Sequence, residues 1–344
     1  MQDTASVLLI YTGGTIGMIQ DPESNSYIPF NFENLYKHVP ELTRFEIQIE
    51  CIEFENPIDS SEMKIEDWNR IGKIIFENYQ RFDGFVVLHG SDTMAFTASA
   101  LSFMLNGLDK PVILTGSQLP IGIIRTDGKE NLITAIEIAA AKQPDGESII
   151  KEVCIYFEYH LYRGNRTTKH SASHFEAFVS PNFPILAEAG VEIEYHLASN
   201  FTNMEKRELV LEQNWNNKII TIRAFPGMNA DFILPAIENP ELKGIVIESF
   251  GNGNMFKYPK LQNALKDFTS RGGVLLNITQ CLNGMVREGV YESGLWLKEV
   301  GAISGKDLTF EAAVCKMMYV LGKETKIEEA KALLRSNLVG EMSI

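Results

Sequence analysis

Long apolar runs, basic clusters and paired cysteines are all missing from this chain, and each absence closes a class of function. No stretch approaches the ~20 apolar residues that a membrane helix needs. The N-terminal MQDTASVLLIYTGG has no basic segment and an apolar run of only about five residues, so it reads as neither signal peptide nor span. Lys and Arg number 31 against 45 Asp and Glu, a net charge of −14. That balance opposes nonspecific contact with nucleic acid or an anionic membrane, and no run of Lys and Arg marks a local basic patch. Neither kind of partner is expected. Cys51, Cys154, Cys281 and Cys315 are scattered without CxxC spacing, which suits buried free thiols in a reducing compartment. The chain reads as cytoplasmic. It contains no internal repeat and no low-complexity tract.

What is present is alternation. At 344 residues the chain is too long for one small core and suggests two domains. SVLLIY (6–11), FVVLHG (85–90), PVILTG (111–116) and VCIYF (153–157) read as buried strands. Helical stripes lie between them: Ile65, Trp68, Ile71 and Ile75; Ala98, Leu101 and Leu105; Leu132, Ile136 and Ala139. Such alternation is the signature of a mostly parallel sheet flanked by helices. Residues 188–218 are polar and less periodic, as in a linker or an exposed hairpin. A second alternation follows, with strands at 218–225, 244–250 and 274–279, a helix carrying Leu261, Leu265 and Phe268, and closing helices rich in Glu, Lys and Leu. The expected fold class is α/β, with a larger N-terminal domain over 1–187, a linker over 188–218 and a smaller α/β domain over 219–344.

In open parallel sheets ligands sit beyond the carboxyl ends of the strands, so the residues after each strand carry the chemistry. Strand one leads into Thr12-Gly13-Gly14-Thr15-Ile16-Gly17. Its glycines allow a sharp turn and bring a hydroxyl close to a ligand, although a turn without chemistry would look the same. The motif is not GxGxxG, and MIQDPESNSYIPF after it is too rich in Pro, Asn and Ser to open a phosphate-cradling helix. It reads as a mobile loop, with Tyr27 near its end, able to close over a site.

His89-Gly90-Ser91-Asp92-Thr93-Met94 runs straight into a helix, where a hydroxyl beside a carboxylate can equally be an N-cap. Asp59-Ser60-Ser61-Glu62-Met63 carries the same ambiguity: one serine is expected to cap and the other to meet a ligand. YRGNRTTKHSASH (162–174) supplies Lys169, a residue type more often merely solvated. His170 and His174 have metal-pair spacing, but neither HExxH nor a third clustered ligand accompanies them, so no metal is expected. His89 fits either a general base or a structural role. There is no GxSxG elbow and no GxxxxGK[ST].

Taken together, four strand ends offer two glycine-borne hydroxyls, an acid, a lysine and a serine pair. A threonine hydroxyl is a poor nucleophile until its proton is removed. A lysine held among hydroxyls and partly desolvated has a lowered pKa and can take that proton. The set suits acyl transfer better than hydride or phosphoryl transfer.

TGGTIG, DSSEM, HGSDTM, the Asp-Gly before the 131–142 helix, and YRGNRTTK resemble, in order and separation, the bacterial type I L-asparaginases. The likeness runs essentially end to end and includes TQC (279–281). It implies that Thr15 is the nucleophile, assisted by Tyr27, and that Ser91, Lys169 and Asp92 match the family's Thr-Lys-Asp triad. It further implies that Ser60 with Ser61 binds the substrate α-carboxylate and Asp92 its α-ammonium, with N–H groups near Thr15 and Ser91 as oxyanion donors. The substrate implied is L-asparagine, the family uses no metal or organic cofactor, and its members assemble as homodimers or homotetramers. Two departures stand out. Ser91 replaces the usual triad threonine, and Glu248 stands where type I members commonly carry an arginine tied to a regulatory asparagine site.

Rival readings keep or change the class. A glutaminase, or the amidase subunit of a tRNA-dependent amidotransferase, differs by one carbon in the substrate, worth only about 1–3 kcal/mol. The amidotransferase form is expected to carry a further N-terminal domain, for which Thr15 lies too near the start. A non-catalytic amino-acid-binding protein would not need Lys169.

Overall fold

A computed structural model describes residues 4–20, 27–29, 39–196, 208–287, 292–324 and 326–344. The chain divides into two compact units, Met1–Glu212 and Gln213–Ile344. Unit 1 is built on an eight-stranded sheet. Its strands in chain order are β1 (Ala5–Gly13), β4 (Ile47–Ile58), β5 (Gly84–Leu88), β7 (Val112–Thr115), β8 (Val153–Phe157), β9 (His160–Arg163), β12 (Ala187–Ala189) and β13 (Ile193–Tyr195). Their spatial order is β13-β12-β9-β8-β7-β5-β1-β4. From β4 to β8 every pairing is parallel. The strands read from the sequence lie in this half. Their continuous Val, Leu and Ile runs are buried on both faces, as a parallel sheet between helices requires.

Beyond β8 the sheet turns antiparallel. The cause is local: Glu158 and Tyr159 both adopt positive φ, 46° and 71°, the geometry of a two-residue hairpin turn that reverses the chain on the spot. The twelve-residue β4 has no counterpart among the expected strands. Its IQIECIEF alternation puts polar side chains on one face of an edge strand, so it lacks the apolar run of its neighbours. Four short strands form two smaller pairings: β6 (Leu105–Asn106) with β14 (Val210–Leu211), and β10 (Thr168–Lys169) with β11 (Phe178–Val179). Of the stretch read as a linker, 193–195 belongs to the sheet edge and 210–211 to a two-strand pairing, while 197–207 lies outside the described residues.

Helices α1 (Ile65–Asn78), α2 (Met94–Met104) and α3 (Gly128–Ala140) cover the sheet. In α1, Trp68, Ile71 and Ile75 are buried, the stripe expected from their spacing. Helix α2 is buried almost all round, from Met94 to Met104. All four cysteines are free; Cys154 and Cys315 are buried as expected, whereas Cys51 on edge strand β4 and Cys281 are exposed.

Unit 2 holds four parallel strands in the order β15 (Ile219–Arg223), β16 (Gly244–Ser249), β17 (Val274–Thr279) and β18 (Ile303–Ser304). Its helices are α4 (Leu234–Glu238), α5 (Pro259–Ser270), α6 (Glu292–Glu299), α7 (Phe310–Gly322) and α8 (Ile327–Arg335). Among the described residues, no helix is long and apolar enough to cross a membrane.

A fully buried ion pair ties the C-terminal residues of unit 2 to α7. Lys316 Nζ lies 2.6 Å from Glu341 Oε1, and neither side chain is exposed. Lys316 also donates to the Ser336 carbonyl, and Glu341 accepts from the N–H groups of Leu338 and Val339. Lys316→Met would strand a buried carboxylate, so it is expected to destabilise unit 2 by about 3–5 kcal/mol. Denaturant unfolding of the variant, with its midpoint unchanged from wild type, would contradict this.

Candidate active site

The carboxyl ends of β1, β4 and β5 meet closely. The β1–β4 register shifts between Tyr11 and Gly13, which brings Gly13 opposite Ile58. At φ 135°, a Cβ on Gly13 would overlap the Ile58 carbonyl. At φ 86°, one on Gly14 would stand 2.5 Å from the Gly90 nitrogen. The TGGT turn and the HGSD turn therefore touch backbone to backbone, which only glycine permits. One layer further, a Cβ on Gly90 would meet Ser60 Oγ at 2.5 Å. Thr12 Oγ1 donates to the Leu88 carbonyl at 2.9 Å and ties β1 to the end of β5. Thr15, Ser60 and Ser91 thus come from three strand ends gathered in one place.

Thr15 opens a 3-10 turn, Thr15–Gly17, and is half-buried. Its far side is held by Tyr11, whose hydroxyl donates to the Gly17 carbonyl at 3.1 Å. Where a mobile loop was expected, β2 (Met18–Gln20) and β3 (Tyr27–Pro29) pair as antiparallel strands, with Tyr27 opposite Gln20. Met-Ile-Gln and Tyr-Ile-Pro each carry a β-branched centre that favours extended backbone. Residues 21–26 and the Tyr27 side chain lie outside the described residues.

The start of α2 is built against the capping rule. Its N-cap position is Thr93, and no side chain caps it. Ser91 Oγ instead accepts from Lys169 Nζ at 2.9 Å, and Asp92 Oδ1 pairs with the same ammonium at 2.7 Å. The Thr93 hydroxyl donates to the Ser60 carbonyl at 2.7 Å. Lys169 reaches this point from β10, where it sits opposite Phe178. Its side chain is 17% exposed against 66% for Asp92, so a mostly buried ammonium faces a carboxylate at the mouth.

In the DSSEM turn neither serine caps, contrary to expectation. Asp59 does so, accepting from both the N–H and the hydroxyl of Ser61 at 2.9 Å. The Ser61 N–H and hydroxyl hold the Asp59 carboxyl below the usual range. Ser60 is buried against Gly90, while Ser61 is exposed. His89 is fully buried, with one ring nitrogen on the Gly90 carbonyl and the other on the Thr97 hydroxyl. That rules out the general-base alternative, since no ring nitrogen is open to a substrate. The backbone of His170 donates to Ala177. Among the described residues no group of three His, Cys, Asp or Glu side chains could hold a metal ion.

Asp59 and Thr93 were not singled out from the sequence, although both lie inside the quoted motifs. Nor were Asp127 and Asn131, in the Asp-Gly segment. Asp127 accepts from the N–H groups of Gln118 and Leu119, just past β7, and burial raises its pKa against those bonds. Asn131 donates to the Gly116 carbonyl and accepts from Glu158 N–H, bridging the ends of β7 and β8. In unit 2, Glu248 is buried on β16 beside Arg223 of β15, 3.6 Å away. Burial raises its carboxyl pKa, and Arg223 opposes the shift.

Residues 6–200 match the family model described as Asparaginase, N-terminal, and residues 218–334 match the Glutaminase/Asparaginase C-terminal domain. The chain belongs to the asparaginase family. It is 40% identical to L-asparaginase 1 of Escherichia coli K12, over 98% of both proteins. The 60 kDa lysophospholipase of Mus musculus is 38% identical over 98% of this chain and 62% of the mouse protein. Among solved structures, the L-asparaginase I of Vibrio cholerae superposes with a TM-score of 0.88, at 39% identity and 99% coverage of each chain.

Within this asparaginase fold the Ser91 hydroxyl is spent on Lys169 rather than on a cap. Ser91→Ala is therefore expected to keep the melting temperature near wild type, whereas loss of a true cap would cost about 1 kcal/mol. Its kcat is expected to fall ~10²-fold or more, and Ser91→Thr, which keeps the hydroxyl, to stay within about tenfold of wild type. A stable Ser91→Ala enzyme with full kcat would remove the residue from the chemistry.

Proposed function

We propose that this chain hydrolyses the side-chain amide of L-asparagine to L-aspartate and ammonia, with Thr15 as the nucleophile. The observation that carries the reading is the Ser91–Lys169–Asp92 cluster, held beside the Thr15 turn by the Gly14–Gly90 contact. Thr15 Oγ attacks the amide carbon as its proton passes through Ser91 to Lys169 Nζ, which receives it in the free-amine form. The carbonyl oxygen becomes an oxyanion facing backbone N–H groups near Thr15 and Ser91. Collapse of this intermediate breaks the C–N bond, and a proton delivered to nitrogen lets ammonia leave. An aspartyl ester remains on Thr15; water activated by the same relay cleaves it and returns the hydroxyl. Asp92 takes the substrate α-ammonium, Ser60 with Ser61 takes the α-carboxylate, and Tyr27 assists Thr15. The protein is proposed to act in the cytoplasm as a homodimer or homotetramer.

Thr15→Ala is expected to abolish turnover with the fold and substrate binding retained. Ammonia release above about a hundredth of wild type would reject Thr15, given the ~10²–10⁴-fold effects of catalytic groups. Running asparagine and glutamine side by side tests substrate choice, with asparagine expected to have the larger kcat/KM.

Glu248 bears on regulation. A carboxylate effector approaching β16 would meet the Glu248 carboxylate with Arg223 already paired to it, instead of a free bidentate guanidinium. The rate is therefore expected to follow asparagine concentration with a Hill coefficient of about one. A coefficient clearly above one, lost on mutation around Glu248 or Cys281, would contradict this.

A further inference from the structure

His89 is a buried ionisable side chain at the end of β5 with no part in the chemistry above, yet its hydrogen bonds are fully specified. Trp68 Nε1 donates to Thr97 Oγ1 at 3.0 Å, and the same oxygen lies 2.9 Å from His89 Nε2. On the other edge of the ring, Nδ1 lies 2.7 Å from the Gly90 carbonyl oxygen. All three side chains are buried: Trp68 to 7%, Thr97 and His89 completely. An indole N–H only donates, and a carbonyl only accepts. Nδ1 must therefore carry the proton, leaving Nε2 bare to accept the Thr97 hydroxyl. Burial keeps the ring neutral and pushes its pKa down to about 4, so this tautomer persists at neutral pH.

The consequence lies in the next peptide unit. The described residues contain no cis peptide bond, and in a trans peptide the C=O and N–H point in opposite directions. A Gly90 carbonyl pinned inward to the ring turns the Ser91 N–H away from the core. Among the described residues that N–H meets no acceptor, an unusual state for a backbone donor beside a buried strand end. The Gly14–Gly90 contact sets the Thr15 turn against the peptide just before it, His89–Gly90.

We propose that His89 is a positioning residue, whose ring is braced by the Thr97 hydroxyl and whose Nδ1–H clamps the Gly90 carbonyl and aims the Ser91 N–H into the site as an oxyanion donor. The proposal rests on the acyl-transfer reading and adds what holds that donor in place. Loss of the clamp leaves substrate groups bound at Asp92 and Ser60 and weakens only the transition state, which separates it from a general loss of structure.

Thr97→Val replaces the hydroxyl with a methyl of similar size. It is expected to lower kcat for asparagine about tenfold or more with KM changed less than about threefold, and Thr97→Ser to restore kcat to within about threefold of wild type. Long-range ¹H–¹⁵N correlation of the histidine rings is expected to show wild-type His89 as the Nδ1–H tautomer. If Thr97→Val does not fold, His89→Asn, whose amide nitrogen can stand in for Nδ1, is expected to retain at least tenfold more kcat than His89→Leu. Wild-type enzyme carrying the Nε2–H tautomer overturns the clamp. So does full kcat in Thr97→Val, or equal kcat in the Asn and Leu variants. Wild-type protein that releases no ammonia overturns the acyl-transfer reading as well, an outcome distinct from an active wild type with an indifferent Thr97→Val.

Discussion

Backbone pressed on backbone at the carboxyl ends of β1, β4 and β5 is the constraint on which the site depends. Parallel strands hold their axes close to 4.8 Å apart, but the turns that leave them normally splay to make room for side chains. Here they do not, because Gly13 faces Ile58, Gly14 faces Gly90 and Gly116 faces the carbonyl of His89, each too close for a Cβ. A single methyl at any of these points would push one turn outward. Displacements near 1 Å are enough to degrade a catalytic arrangement about a hundredfold. The glycines thus act by excluding atoms, and the hydroxyls they bring together depend on that exclusion.

A second constraint follows at the start of α2. Ser91, Asp92 and Thr93 are all good capping residues, and none caps. Ser91 and Asp92 turn to Lys169, which arrives from β10 nearly eighty residues later, and Thr93 turns to the Ser60 carbonyl. The helix gives up the modest stabilisation of a cap, and its first turn becomes a junction for three separate segments. Local rules fail most often where a site has taken the residues for another purpose. Asp59, at the end of β4, shows the ordinary outcome: a carboxylate that does cap its own short turn.

Unit 2 shows a different use of charge. Glu248 lies on a buried strand with Arg223 as its partner, and Lys316 with Glu341 forms an ion pair with no exposure at all. Both carboxylates are matched by a cation inside the unit. The charge at β16 is thereby committed to the fold instead of being free to greet an anionic ligand.

The sequence by itself determined the α/β class, the buried central strands and the apolar stripes of their helices, because apolar periodicity is a property of neighbours along the chain. VCIYF and VLLNIT run as strands over the very residues read for them. It also located the candidate hydroxyls, lysine and acid, since they sit in short motifs at strand ends. The tertiary structure alone decided what each of them touches. That β4 is a long edge strand, that Asp59 and not a serine caps, and that His89 is sealed between Gly90 and Thr97 are facts about partners brought together across the fold. A hydrogen bond between Trp68 and Thr97 joins residues 29 positions apart, and Lys169 meets Ser91 across 78. No local pattern encodes such pairings; they exist because the parallel sheet carries distant segments to the same edge and the glycine turns let them close.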